Sequence, residues 1–260
     1  MGNFRTITKR LFNFGLVFGL SLALTSPLSA RNAATVPSEI KRAIGEIERS
    51  ANRQNVARVM NYYSSDFTNS DGLDYSTLSA ALKNFWQQYP TLKYRTEIKS
   101  WQREGDRAIV ETLTSMEGTT TRASRQMRLS AEVRSRQHFL NGKIVKQEIL
   151  SEKTEIVTGD NPPQLIVNLP EQVQVGQQFS FDAIVREPLG EEILFGAAIG
   201  ETTNSSLYLD PSTLELELLP AGGIFKLVTA PITPENRWYS AIIARSDGIA
   251  IVTQRVAIEN

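Results

Sequence analysis

The chain has no cysteine and a single histidine among its 260 residues. Without thiols there are no disulfides, no thiol nucleophile and no cysteine-containing metal site. With one imidazole besides, neither a metal nor another cofactor is expected. The chain also lacks an excess of charge, since 28 Lys+Arg face 28 Asp+Glu. That balance hides an asymmetry. Residues 31–158 carry 20 basic against 15 acidic side chains, and residues 159–260 carry 5 against 13. The basic surplus is small and interleaved with acids, which excludes a nucleic-acid footprint. Opposite signs on the two halves favour attraction between them, or with a partner. GxSxG, P-loop, HExxH, GxGxxG and EF-hand patterns are all absent. Asn204-Ser205-Ser206 matches a glycosylation sequon, which matters only in a eukaryotic secretory pathway.

Long apolar runs are missing except at residues 11–24, LFNFGLVFGLSLAL. Lys9 and Arg10 precede this run, and SPLSA follows it, ending at Ala30. A basic start, a short apolar middle and a small-residue end describe a secretory signal peptide over residues 1–30. The run is shorter than the roughly 20 residues a membrane span requires. The mature protein is therefore expected to be exported and free of a membrane span. Its compartment would be the periplasm or the extracellular space, or the thylakoid lumen in a photosynthetic host.

After a linker at 31–37, Ile40, Ile44, Ile47 and Ala51 recur at the spacing of one helical face. Asn55 suits the cap of a second helix carrying Val56, Val59, Met60 and Tyr63. Asp74 suits the cap of a third, with Leu78, Leu82, Phe85 and Tyr89 on one face and Pro90 as its stop. From residue 92 the period changes to two, in runs 92–104, 107–117, 120–139 and 143–156. Asn141-Gly142 is a strong hairpin signal between the last two. Helices followed by an antiparallel meander predict an α+β unit over 38–158. A linker at 159–163 contains Asn161-Pro162-Pro163. Beyond it, short strand-like runs such as QFSFDAIV, SSLYL and IAIVTQRVAI alternate with turn residues, which predicts an immunoglobulin-like β-sandwich over 164–260.

The order of helices around YYSSDFTNSDGLDYSTLSAALKNFWQQYP, followed by KYRTEIKSWQREGDRAIVE and the hairpin FLNGKIV, resembles the NTF2-like superfamily. That superfamily has a cone fold shared with ketosteroid isomerases and SnoaL-type polyketide cyclases. The C-terminal half resembles, more weakly, a bacterial immunoglobulin-like accessory domain. The first resemblance implies three helices on a curved antiparallel sheet enclosing a pocket, with dimers formed through the outer sheet face. It also implies enzymes, ligand carriers and structural modules alike, so the site residues must decide.

Those residues point away from catalysis. Asp66, Asp71 and Asp74 sit within nine positions, yet each falls where a turn or cap is needed. Alternation in the first long strand puts Tyr94, Thr96 and Ile98 inward and Trp101 outward among charges, as a contact residue for a partner. It puts His138 on the face of Arg134 and Arg136, away from the cone, unless a β-bulge reverses the register. Glu111 is ambiguous, and Arg125 shares the parity of Met127. The pocket candidates are Tyr62, Phe67, Phe85, Trp86, Tyr89, Tyr94 and Arg125. The expectation is a non-enzymatic binding or assembly protein, a homodimer or bound to another exported protein. The alternatives are an isomerase-, dehydratase- or cyclase-type enzyme using Asp66, Glu111 or His138, and a carrier of a small apolar ligand.

Overall fold

A computed structural model describes residues 36–260 apart from 123, 124, 189, 191, 209, 211 and 213. The expected signal peptide over residues 1–30 and most of the expected linker at 31–37 lie outside the described residues. The fold is mostly sheet with few helices. Helix α1 (Ser38–Ala51) buries Ile40, Ala43, Ile44 and Ala51, the apolar face that its spacing predicts. Helix α2 (Val56–Met60) is capped by Asn55 and ends before Tyr63, shorter than the periodicity suggests. Tyr63 instead opens strand β1 (Tyr63–Asn69). Helix α3 (Tyr75–Gln88) starts in a capping box, where Asp74 accepts from the Thr77 amide and the Thr77 hydroxyl accepts from the Asp74 amide. The Thr77 amide, joined by the Thr77 and Ser76 hydroxyls, donates to the Asp74 carboxylate and holds it at about 2, below the usual range.

The meander follows as β2 (Lys93–Glu104), β3 (Arg107–Arg122), β4 (Arg125–Leu140) and β5 (Lys143–Gly159). Helix α1 covers the free edge of β2. Asn52 Nδ2 donates to the Tyr94 carbonyl at 2.9 Å while its Oδ1 accepts from the Tyr94 amide at 2.8 Å. The Glu48 carboxylate accepts from the Thr96 amide at 2.6 Å. An edge satisfied by side chains is closed to further strands. Strand β1 joins the sheet by pairing parallel with β5, and the three helices pack around Phe67, Trp86, Leu92, Trp101, Val110, Phe139 and Ile144.

The C-terminal half adds β6 (Leu165–Asn168), β7 (Gln172–Gln174), β8 (Gln178–Val185), β9 (Phe195–Thr202), β10 (Glu217–Leu218), β11 (Gly223–Thr229), β12 (Glu235–Arg245) and β13 (Gly248–Glu259). Residues Ser205–Tyr208 form a 3-10 helix rather than the strand that SSLYL suggests. The large sheet does not stop between the halves. Strand β13 pairs antiparallel with β5 from Gly248↔Gly159 to Gln254↔Lys153, giving the order β10-β9-β12-β13-β5-β4-β3-β2. A smaller sheet, β11-β8-β6, packs Phe179, Phe181 and Ala183 against Tyr239, Ala241, Ile243 and Val252 of the large one. Register places these large-sheet residues on the face opposite the cone. The C-terminal half is thus two facing layers, one of which is the continuation of the cone's own sheet.

Candidate functional site

A partly open cavity of about 190 Å³ lies between α1, α3 and the concave sheet face. Ile44, Ile47, Leu78, Leu82, Met116 and Val133 form its apolar wall. Its polar floor follows from register, because Thr112, Thr114, Ser135 and Gln137 all point to the concave face of β3 and β4. Thr96 and Thr114 share a hydrogen bond at 3.2 Å, as do Thr112 and Ser135. Gln137 Nε2 donates to the Thr112 hydroxyl at 3.4 Å, while Gln137 Oε1 is buried without a partner. A buried amide oxygen without a donor costs roughly 1–3 kcal/mol, which a bound hydroxyl or amide would recover.

Two tyrosines face the same space. Burial pushes the hydroxyls of Tyr63 and Tyr94 up to about 12. Trp86 Nε1 donates to the Tyr94 hydroxyl oxygen at 2.7 Å, so Tyr94 keeps its own proton to donate. Among the described lining residues the one carboxylate is Glu48, and it is engaged with the Thr96 amide. A general acid or base needs a poised pKa within reach of a bound molecule. The cavity offers donors and acceptors but no such pair.

The predicted catalytic alternatives lie elsewhere. Asp66 is exposed on β1. Glu111 is on the convex face, held by Arg136 at 2.7 Å and Arg134 at 2.9 Å. Burial pushes its carboxyl up, and the two arginines outweigh this, for a net lowering. His138 shares that convex face with Arg134 and Arg136 and sits 3.6 Å from Glu148. Burial lowers its pKa, with the charges of Lys146, Arg136 and Arg107 acting the same way against Glu148. The register shift beside it falls between His138 and Phe139 on the β5 side and leaves His138 opposite Ile109 on β3.

Several predicted pocket residues need correction. Only Tyr94 of that set lines the cavity. Phe67, Trp86 and Tyr89 are core, and Tyr62 and Phe85 pack at its margin. Tyr63 meets Phe67 edge-on at 4.9 Å and Phe85 meets Tyr89 at 5.4 Å, so aromatic spacing here serves packing. Arg125 is exposed at the start of β4. Trp101 is also corrected. Lys99 is skipped between Ile98↔Thr112 and Ser100↔Glu111, and this bulge turns Trp101 to the concave face opposite Val110. The indole is 5% exposed and belongs to the core, not to an outer contact surface.

Sequence reasoning missed the strongest polar cluster altogether. Asp71 does take a turn position, accepting the hydroxyl of Ser70 and giving its amide to Asn69 Oδ1 at 2.6 Å. Its side chain, however, is fully buried against the guanidinium of Arg255 from β13, at 2.9 and 2.6 Å. Tyr208 donates to the same carboxylate at 2.6 Å. Glu152 of β5 receives Arg255 Nη2 at 3.1 Å and Trp238 Nε1 at 2.8 Å, and the Trp238 ring lies 5.4 Å from the guanidinium. Burial pushes the Asp71 carboxyl up, but Arg255, Tyr208 and Ser70 outweigh it and leave it lowered. The cluster ties the β1–α3 loop to strands of both halves. It forms no open site.

Comparison with known proteins gives matches in both halves. A family model described as a SnoaL-like domain matches residues 47–147, and one described as a domain of unknown function matches residues 160–259. No curated protein matches the chain. Among solved structures, the chain is similar to an LEH-like epoxide hydrolase of M. tuberculosis, with 13% identity, 43% of this chain and 80% of that one covered, and a TM-score of 0.31. It is also similar to an uncharacterized cystatin-fold protein of Novosphingobium aromaticivorans, at 15% identity, 44% and 97% coverage and a TM-score of 0.32. An NTF2-like protein of unknown function from Cytophaga hutchinsonii gives 12%, 42% and 87%, and a TM-score of 0.26. Structural likeness at these scores carries no argument about chemistry. The family-model match over residues 47–147 and the helix-and-meander order agree with each other, and both support an NTF2-like fold in the N-terminal part.

Proposed function

We propose that the protein is an exported, non-enzymatic binding protein whose cone takes a small, mainly apolar molecule with one hydrogen-bonding end. The observation that carries this reading is the partnerless Gln137 Oε1 on the polar floor of a cavity walled by Ile44, Ile47, Leu78, Leu82, Met116 and Val133. An engineered cavity of about 150 Å³ holds benzene, so about 190 Å³ suits a one-ring ligand. The SnoaL-like fold also includes enzymes, and the isomerase-, dehydratase- or cyclase-type alternative would need an acid or base beside the ligand. The cavity's donors, Tyr63 and Tyr94, stay protonated across physiological pH, which favours holding over proton transfer.

The test is mass spectrometry on the mature protein purified from its own compartment, under native and then denaturing conditions. A stoichiometric small molecule released on denaturation, and lost in Gln137→Leu, supports the proposal. A ligand-free protein whose melting temperature is unmoved by any one-ring alcohol or amide overturns it. Chemical conversion of such a molecule by the purified protein would put the enzyme reading in its place.

A further inference from the structure

We propose a second binding site, for a small aryl carboxylate, in the cleft between the β11 edge of the small sheet and strand β9 of the large one. The cleft measures about 280 Å³ and lies on the face of the large sheet opposite the cone. Its origin is an inversion of the usual strand pattern. Along β11 the residues facing the sandwich interior are Ile224, Lys226 and Val228, opposite Ala183, Phe181 and Phe179 of β8. The intervening Phe225 and Leu227 face outward, 57% and 71% exposed. A lysine therefore occupies the middle position of this row, on the edge strand of the small sheet, where its side chain stays exposed to solvent.

Lys226 Nζ reaches across the cleft to the Ala198 carbonyl of β9 at 2.7 Å. That uses one of its three donors. Among the described residues no carboxylate lines the cleft. Arg237 stands beside it, giving Nη1 to Glu235 and Nη2 to the Gly200 carbonyl, both at 2.8 Å. The ring of Tyr239 lies across Gly200, where a Cβ would come within 2.5 Å of it. The same ring meets Phe181 edge-on at 5.6 Å. The cleft thus joins the Lys226 ammonium, a guanidinium already paired with Glu235 and a phenol to an aromatic wall, in a half of the chain with 13 acidic and 5 basic residues. Free ammonium donors ask for an anion, and the aromatic wall asks for a ring attached to it. A volume near 280 Å³ exceeds the roughly 150 Å³ that holds benzene by enough for a short acidic tail.

The probe is 3-phenylpropionate, titrated into the mature chain and followed by amide NMR, with 3-phenylpropionamide as its neutral counterpart. The expected result is saturable shifts at the amides of Ala198, Gly200 and Val228. Binding of the neutral amide, and of the acid to Lys226→Met, should be about tenfold weaker, the equivalent of one charge-assisted hydrogen bond. Lys226→Arg keeps the charge and should stay within about threefold of the parent. Equal binding of acid and amide to the unmodified protein overturns the proposal. So does the absence of saturable shifts, or shifts confined to the cone strands. An inward lysine also protects an edge strand from pairing. Self-association of Lys226→Met with undiminished binding of the acid would assign the residue to that role alone and overturn the site. Loss of the cone ligand leaves this cleft unaffected, so the two readings fail separately.

Discussion

Replacing Asp71 with alanine should remove a large part of the protein's stability, even though the residue sits in a loop. Both Asp71 and Arg255 side chains are 0% exposed, so solvent screening does not dilute their interaction. Breaking a buried pair from one side costs about 3–5 kcal/mol, because the surviving charge is stranded. Here Glu152 at 3.1 Å and the Trp238 ring at 5.4 Å still face the guanidinium, so the expected loss is about 3 kcal/mol. For a chain of this size that corresponds to a melting temperature lower by about 6–12 °C. Arg255→Met should cost as much, by leaving the carboxylate with only hydroxyl donors. The double variant Asp71→Ala/Arg255→Met leaves neither member of the pair charged and should lose much less than the sum. Urea unfolding of all four proteins at pH 7, read by tryptophan fluorescence, measures the coupling. The sign in pH follows from the lowered carboxyl. Its contribution is complete above the ordinary aspartate value of about 3.9 and is lost as pH falls through the lower native value. The acid limb of the stability curve should flatten in Asp71→Asn. A loss below about 0.5 kcal/mol in Asp71→Ala, the ordinary range of surface substitutions, would refute the reasoning.

Three further outcomes are expected. Ile44→Asp places a charge at a 5% exposed position of the first helix and should leave the cone unfolded, seen as lost near-UV circular dichroism and insoluble expression. Trp101→Ala should cost about 3–5 kcal/mol in urea unfolding without changing the sedimentation coefficient of the folded protein, since the indole is core. Gly159→Ala should cost about 1–3 kcal/mol, because φ is +101° and the new Cβ would lie 2.3 Å from the Asp247 carbonyl; unchanged thermal melting would contradict that strain.

What was legible in the sequence is what neighbours decide. The Ile40, Ile44, Ile47 face, the Asp74 cap and the Asn141-Gly142 turn depend on residues within about one helical turn or one hairpin, and each is found in place. Strand β1 escaped notice because YSSDFTN has no alternation of polarity, and its pairing with β5 is parallel and broken by a register shift. The face of Trp101 was misread because alternation carries no mark of the bulge at Lys99, and a single skipped residue reverses every side chain beyond it. Asp71 is the instructive case. Its local chemistry gave a correct turn and an incomplete role, since its main partner lies 184 positions away. The one signal was on the other side. Arg255 interrupts IAIVTQRVAI, a strand whose neighbours Val256 and Ile258 are 0% and 2% exposed. A guanidinium at a buried position must find an acid. Sequence alone can state that demand, but with 28 carboxylates in the chain it cannot choose among them. The choice is made by sheet register. Pairing of β13 with β5 brings Arg255 beside Glu152, and the β1–α3 loop then delivers Asp71 onto both.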